Sequence, residues 1–202
     1  MFFIKDNNIN LSDLSIFNGD ETNSIRVDWE QFKHVLTNNN ISYFYHVTDS
    51  SNIDSIKSNG GLFSWEYCNA NKIYISAPGG NQRSREFDSE KGLSNYVRLF
   101  LNPEQPMIFL ARCEKRINNP VKLKIDPRIV YLSSTLFSNI NATDKNAEIG
   151  GTIDFFQKIS FNTVNFRPLD GSERKLLQAE ILVKTNIPTK FITNIDHYNA
   201  IN

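Results

Sequence analysis

Three short stretches hold side chains whose chemistry matters more than their packing. The first is Tyr45-His46-Val47-Thr48. Residues two apart on an extended strand share a face, so the His46 imidazole and Thr48 hydroxyl can address one ligand edge, with Val47 between them. A lone histidine is more often structural than functional. This one ends an apolar strand that leads into a helix, where chain ends can offer donors to an anion or a sugar. The second stretch is Arg83-Ser84-Arg85, just after Pro78-Gly79-Gly80-Asn81. It is either a solvated charge pair or, on a glycine-rich loop, a fork of donors for a pyrophosphate. The third is Gln178-Ala179-Glu180-Ile181-Leu182-Val183. Alternation places Gln178, Glu180 and Leu182 on one face of an apolar strand. A carboxylate there is costly unless it meets a cleft, a partner or solvent.

Other chemistries lack their residues. GxSxG, HExxH, GxGxxG and GxxxxGK[ST] do not occur, which removes the common hydrolase, zinc-protease, Rossmann and P-loop routes. Cys68 and Cys113 have no CxxC and no neighbouring histidine. They read as two free core thiols in a reducing cytosol, and no metal site is expected. Asp88 and Glu90 read as loop acids. Lys115, Arg116, Lys122, Lys124 and Arg128 are the densest basic stretch, either a solvated strand and turn or a nucleic-acid track. Phe155, Phe156, Phe161 and Phe166, with Arg167 beside them, are ordinary core or stackers for bases. The 22 basic and 22 acidic residues balance, so nothing draws the chain generally to phosphate backbones. That speaks against coating a duplex and leaves room for gripping a few nucleotides.

The positioning elements follow from periodicity and punctuation. A polar arm over residues 1–26 precedes one domain over residues 27–202. Asp28-Trp29-Glu30-Gln31 starts a helix that carries Phe32, Val35 and Leu36 and stops in Asn38-Asn39-Asn40. Ile41 to Val47 reads as a strand. A short helix after Asp49 carries Ile53 and Ile56 and ends at Asn59-Gly60-Gly61. Lys72–Ser76, Asn95–Leu101, Met107–Cys113 and Val121–Ile125 read as strands, with one helical turn at Asp126-Pro127-Arg128. Residues 133–175 are irregular apart from a helical piece at Ile153–Ile159. Gln178–Lys184 is a strand and Lys190–Ile195 another. Without βαβ alternation the class is α+β, with a mixed or split sheet and flanking helices. No signal-like segment and no apolar run of ~18 residues is present, so a cytosolic chain with no membrane partner is expected.

Taken in order, these pieces resemble the DarT family of DNA ADP-ribosyltransferase toxins. The resemblance runs from Tyr43 to Asn194. It rests on Tyr45-His46-Val47-Thr48 with Asn52, Ile53, Ile56 and Gly60, then Ser84-Arg85 with Asp88. It continues through Gly92-Leu93-Ser94-Asn95-Tyr96-Val97-Arg98-Leu99, Pro106-Met107, Phe137-Ser138-Asn139-Ile140-Asn141-Ala142 and Gln178 to Val183.

The resemblance implies an ADP-ribosyltransferase fold, a split sheet holding NAD in its cleft as co-substrate, with no metal. It implies that His46, Val47 and Thr48 bind the nicotinamide side of NAD, with Asn52 on the same wall. Glu180 and Arg85 would be catalytic, with Arg85 also contacting the phosphates or organising the site, and Tyr96 would pack near the nicotinamide. The acceptor implied is a base of single-stranded DNA. The Gly92–Leu99 and Asn139–Ala142 stretches are closer to the guanine-modifying branch than to the thymine-modifying one. A macrodomain antitoxin is the implied partner. The residues alone leave open an RNA, protein or water acceptor, or an NAD-binding module without catalysis.

Overall fold

The computed structural model describes residues 24–102, 104–164 and 171–200. The chain begins with helix α1 (Trp29–Asn38), strand β1 (Phe44–Asp49), a 3-10 turn and helix α2 (Ile53–Ser58). Strand β2 (Gly61–Phe63), helices α3 (Trp65–Ala70) and α4 (Gln82–Glu90), strand β3 (Tyr96–Phe100) and helix α5 (Pro106–Cys113) follow. Then come β4 (Pro120–Ile125), β5 (Leu136–Ser138), β6 (Ile149–Gly150), α6 (Ile153–Gln157), α7 (Phe161–Val164) and α8 (Gly171–Leu176). Strands β7 (Glu180–Lys184), β8 (Asn186–Pro188) and β9 (Asn199–Ala200) complete it.

The class is α+β, as expected. One sheet has the order β6-β5-β7-β3-β1-β4-β9, and β2 and β8 form a separate ribbon. Every strand pairing among the described residues is antiparallel. Strand β1 pairs with β4 along its length, Phe44 opposite Ile125 through Asp49 opposite Pro120. Strand β3 pairs likewise with β7, Tyr96 opposite Lys184 through Phe100 opposite Glu180. Between these halves, β1 and β3 meet only at Tyr45 and Phe100. The sheet therefore opens along its middle.

One core holds the halves together. Phe44, Leu99, Leu123, Ile125, Ile181 and Val183 pack with Phe32 of α1 and Phe156 of α6. The Phe32 ring lies 5.5 Å from both Phe137 and Phe156, within the range of favourable aromatic packing. Residues 24–26 already belong to this body. Ile25 bridges Leu132, and the Arg26 guanidinium donates to the carbonyls of Gly151 (2.5 Å), Leu132 (2.6 Å) and Thr135 (3.1 Å). It also lies 4.1 Å above the Phe32 ring. Gly60 turns with φ +80°, and a Cβ on Gly61 would meet the Ile187 carbonyl oxygen at 2.5 Å. Only glycine lets the ribbon close there.

Several elements differ from the sequence expectation. Met107–Cys113 is helical because Pro106 occupies its first turn, where a missing N–H costs nothing, and Leu110, Ala111 and Arg112 favour helix. Lys72–Ser76 is irregular: Lys72 adopts φ 57° and Asn52 holds the Ala77 backbone through both its donor and its acceptor. Lys190–Ile195 gives only a 3-10 turn after Pro188 and one bridge from Ile192 to Ile125. Arg83–Arg85 sit in the first turns of α4, whose N-cap Asn81 accepts from the Ser84 N–H at 2.9 Å.

Candidate active site

The opening between β1 and β3 is occupied by a side chain. His46 Nδ1 lies 3.0 Å from the carbonyl oxygen of Arg98, a backbone acceptor that a continuous ladder would have used. A carbonyl only accepts, so Nδ1 carries the proton and Nε2 is left as an acceptor. Burial pushes the imidazole below its ordinary pKa, against the opposing effect of the Arg98 bond. Two residues on, Thr48 Oγ1 accepts from Asn52 Nδ2 at 3.0 Å and keeps its own proton to donate.

Glu180 enters the same cleft from β7. It is 2% exposed. Its Oε2 accepts from Arg98 Nη1 at 2.5 Å and from the Ala142 N–H at 2.8 Å, and Oε1 has no partner among the described residues. Arg98 also pairs with Asp88 of α4. Burial pushes the Glu180 carboxyl above its usual range. Arg98 and the Ala142 N–H pull it back, and Asp88 adds to the push. Arg98 loses solvent too, but its two carboxylates outweigh that and hold the guanidinium more firmly protonated. The turn that supplies the Ala142 N–H is itself tied down: Lys91 Nζ donates to the carbonyls of Ala142 (2.8 Å) and Asp144 (2.6 Å).

The remaining wall comes from α4 and the loop before it. Arg85 lies 3.5 Å above the Trp65 ring and donates to the Gly80 carbonyl at 3.0 Å. Burial and then the nearby Arg116 charge lower its pKa. Arg116 bonds Glu114 through Nε at 2.6 Å, while Nη1 and Nη2 are buried with no acceptor among the described residues. The cleft has a volume of about 320 Å³, the size of a small-ligand site. His46, Val47, Thr48, Asn52, Arg85, Tyr96 and Glu180 all line it. So do Arg98, Asp88 and Trp65, to which the sequence analysis gave no role in a site. Arg98 could have been found by the argument used for Glu180, since it alternates with buried Val97 and Leu99 on an apolar strand. Trp65 carried no comparable signal.

Other expectations need correction. Phe156 is fully buried and Phe161 is 7% exposed; their rings meet edge-on at 5.3 Å. They are core and cannot stack on bases. Phe155 is half-buried against that core, with Lys158 Nζ 4.8 Å from its ring centroid. Lys122 lies on β4 opposite Val47 and does not line the cleft, whereas exposed Lys115 and half-buried Arg116 follow α5 beside the cleft residue Ile117. Phe166 and Arg167 lie outside the described residues. Asp88 is a helical ion-pair partner, not a loop acid. Cys68 is buried as expected, but Cys113 is exposed, because α5 buries only Ala111. No group of three or more His, Cys, Asp or Glu that could hold a metal occurs among the described residues. No described helix is long and apolar enough to cross a membrane.

Comparison with known proteins gives this cleft a family. Among solved structures, Thermus sp. 2.9 DarT in complex with ADP-ribosylated ssDNA superposes with TM-score 0.63 at 15% identity, over 76% of this chain and 79% of that one. Thermus sp. 2.9 DarT in complex with NAD+ gives 0.56 at 16% identity, over 75% and 79%. Thermosipho africanus DarTG in complex with ADP-ribose gives 0.61 at 19% identity, over 75% and 42%. At these identities the likeness speaks for the fold. A search of curated protein sequences finds no match. A family profile described as "ssDNA thymidine ADP-ribosyltransferase, DarT" matches residues 45–201, which include every cleft residue named above. The chain belongs to the DarT family of single-stranded-DNA ADP-ribosyltransferases.

Proposed function

We propose that this chain transfers ADP-ribose from NAD to a base of single-stranded DNA, guanine in particular, releasing nicotinamide. We further propose that it acts as a toxin opposed by a macrodomain antitoxin that removes the modification. One observation carries the reading: Glu180 Oε1 and His46 Nε2, both without a partner among the described residues, line one cleft with Arg85.

In this reading nicotinamide leaves C1′ with the bonding electron pair, and the ribose becomes oxocarbenium-like. Glu180 Oε1 accepts from the ribose 2′-hydroxyl and stabilises the positive charge. A base nitrogen then attacks C1′, and its proton passes to Glu180. His46 Nε2 accepts from a ribose hydroxyl, Thr48 donates to the carboxamide, and Val47 and Tyr96 pack the nicotinamide. Asn52 acts by holding the 77–78 loop against Thr48. Arg85 holds the phosphates of NAD, a group that a guanidinium fork suits, and Arg116 beside it serves the DNA backbone. Guanine is favoured by the likeness of Gly92–Leu99 and Asn139–Ala142 to that branch. The matched profile's description names thymidine, so the base is the first thing to test.

The test offers labelled NAD with four single-stranded oligonucleotides, each lacking one base, and Glu180→Ala as control. Label on all but the guanine-free strand, and none with the variant, is the expected result. Loss of label on the thymine-free strand alone would move the chain to the other branch. Nicotinamide release without labelled DNA would move the acceptor to RNA, protein or water.

A further inference from the structure

Among the described residues, Arg98 bonds two carboxylates at once, Glu180 of the proposed chemistry and Asp88, which has no role above. We infer that Arg98, held by Asp88, is the positioning residue of the transfer reaction: it binds Glu180 Oε2 so that Oε1 alone faces the substrate. The inference rests on the reading of Glu180 as the reacting carboxylate.

The geometry carries it. Arg98 Nη1 donates to Glu180 Oε2 at 2.5 Å, and Nη2 donates to Asp88 Oδ1. A guanidinium fork can serve two carboxylates at once with fixed directions, which an ammonium cannot do. The Ala142 N–H takes the other approach to Oε2 at 2.8 Å. The carboxylate plane is thereby fixed before substrate arrives, and one oxygen is reserved. The same residue's backbone carbonyl fixes the His46 tautomer. Arg98 thus sets the acceptor on each wall of the cleft, one through its side chain and one through its main chain. Its place on β3 explains this double reach. Phe100, two residues on and on the same face, is opposite Glu180, while the carbonyl of Arg98 points into the gap that β1 leaves.

Charge follows from this arrangement. Glu180 is enclosed by Arg98 on β3, Asp88 and Arg85 on α4, and His46 on β1. Lys91 and Asp144 stand behind the Ala142 turn. Of these charged groups, Arg98 favours the ionised carboxylate that must take the base proton, and Asp88 disfavours it. Removing Arg98 and removing Asp88 must therefore shift the reaction's pH dependence in opposite directions.

The experiment measures the acidic limb of kcat/KM for DNA labelling in the wild type, Arg98→Gln, Arg98→Lys and Asp88→Asn, with NAD affinity by calorimetry. Arg98→Gln is expected to move the limb up by about one pH unit or more, and Asp88→Asn to move it down by about half a unit. Arg98→Lys returns the limb toward the wild type but not the full kcat. NAD affinity stays within about threefold, since a charge change at Oε2 leaves the ground-state contacts of His46 in place. Limbs that coincide in all variants, or that shift the same way in Arg98→Gln and Asp88→Asn, overturn the proposal. If Arg98→Gln does not fold, Asp88→Asn and Arg98→Lys still decide it. Glu180→Gln separates the two readings: if it labels DNA normally, the role of Glu180 fails, and if it is inactive while the limbs coincide, only the role of Arg98 fails.

Discussion

At the scale of the residue, the cleft works through atoms left without partners among the described residues. Glu180 offers Oε1 and His46 offers Nε2, while beside the cleft lining Arg116 holds two buried guanidinium nitrogens. The buried Arg116 nitrogens are costly in the folded state, and all of these atoms become useful once a ligand supplies the missing partner. Glu180→Gln keeps the shape but loses the base. Labelling is expected to fall by about 10²- to 10⁴-fold with NAD affinity nearly unchanged, measured by initial rates and calorimetry. Retained labelling would remove Glu180 from the chemistry. For His46 the sign of the pH effect follows from its depressed pKa. Between that value and the ordinary 6.5 the unfolded chain binds the extra proton, so folding stability rises with pH and is lost on acidification below 6.5. Urea melts between pH 7 and 5 should show this slope, and His46→Gln should flatten it.

At the scale of the element, long-range ties hold segments that have little local order of their own. Asn52 fixes the irregular 72–80 segment, Lys91 fixes the turn that presents the Ala142 N–H, and Arg26 fastens the start of the described chain. Burial pushes the Arg26 guanidinium down to about 10, although Asp28 opposes the shift; it is still charged at neutral pH and donates to three carbonyls. Arg26→Ala strands those carbonyls and should cost about 3 kcal/mol in chemical denaturation. A loss within about 0.5 kcal/mol, the size of an ordinary surface substitution, would show that this segment is peripheral. Phe156→Ala removes the ring that touches Phe32, Phe137 and Phe161 and should cost about 3–5 kcal/mol.

At the scale of the whole molecule, a neutral chain must grip DNA locally. The cations near the cleft are few, so affinity for a single strand should fall gently with salt, at about −0.7 in log–log slope per phosphate held. Arg116→Ala should remove about one such increment, while Lys122→Ala, on β4 away from the cleft lining, should leave the slope unchanged. A steep slope that survives Arg116→Ala would place the DNA track elsewhere on the surface.

The sequence by itself determined the α+β class, α1 with its Asp28 start, the β1-to-α2 passage and the strand carrying Glu180. These are local matters: apolar periodicity, turn residues and the cost of a carboxylate on an apolar strand are all written within a few neighbouring positions. The ordered set of short motifs also pointed to the family. Tertiary structure decided which of the named residues share a cleft with Arg98, Asp88 and Trp65, and that Phe156 and Phe161 are core. Those outcomes depend on pairs far apart in sequence, such as Arg98 with Glu180 and Arg85 with Trp65. They depend above all on a sheet that opens after one β1–β3 pair. A strand's own sequence fixes which side chains share a face, but not where its neighbour leaves it.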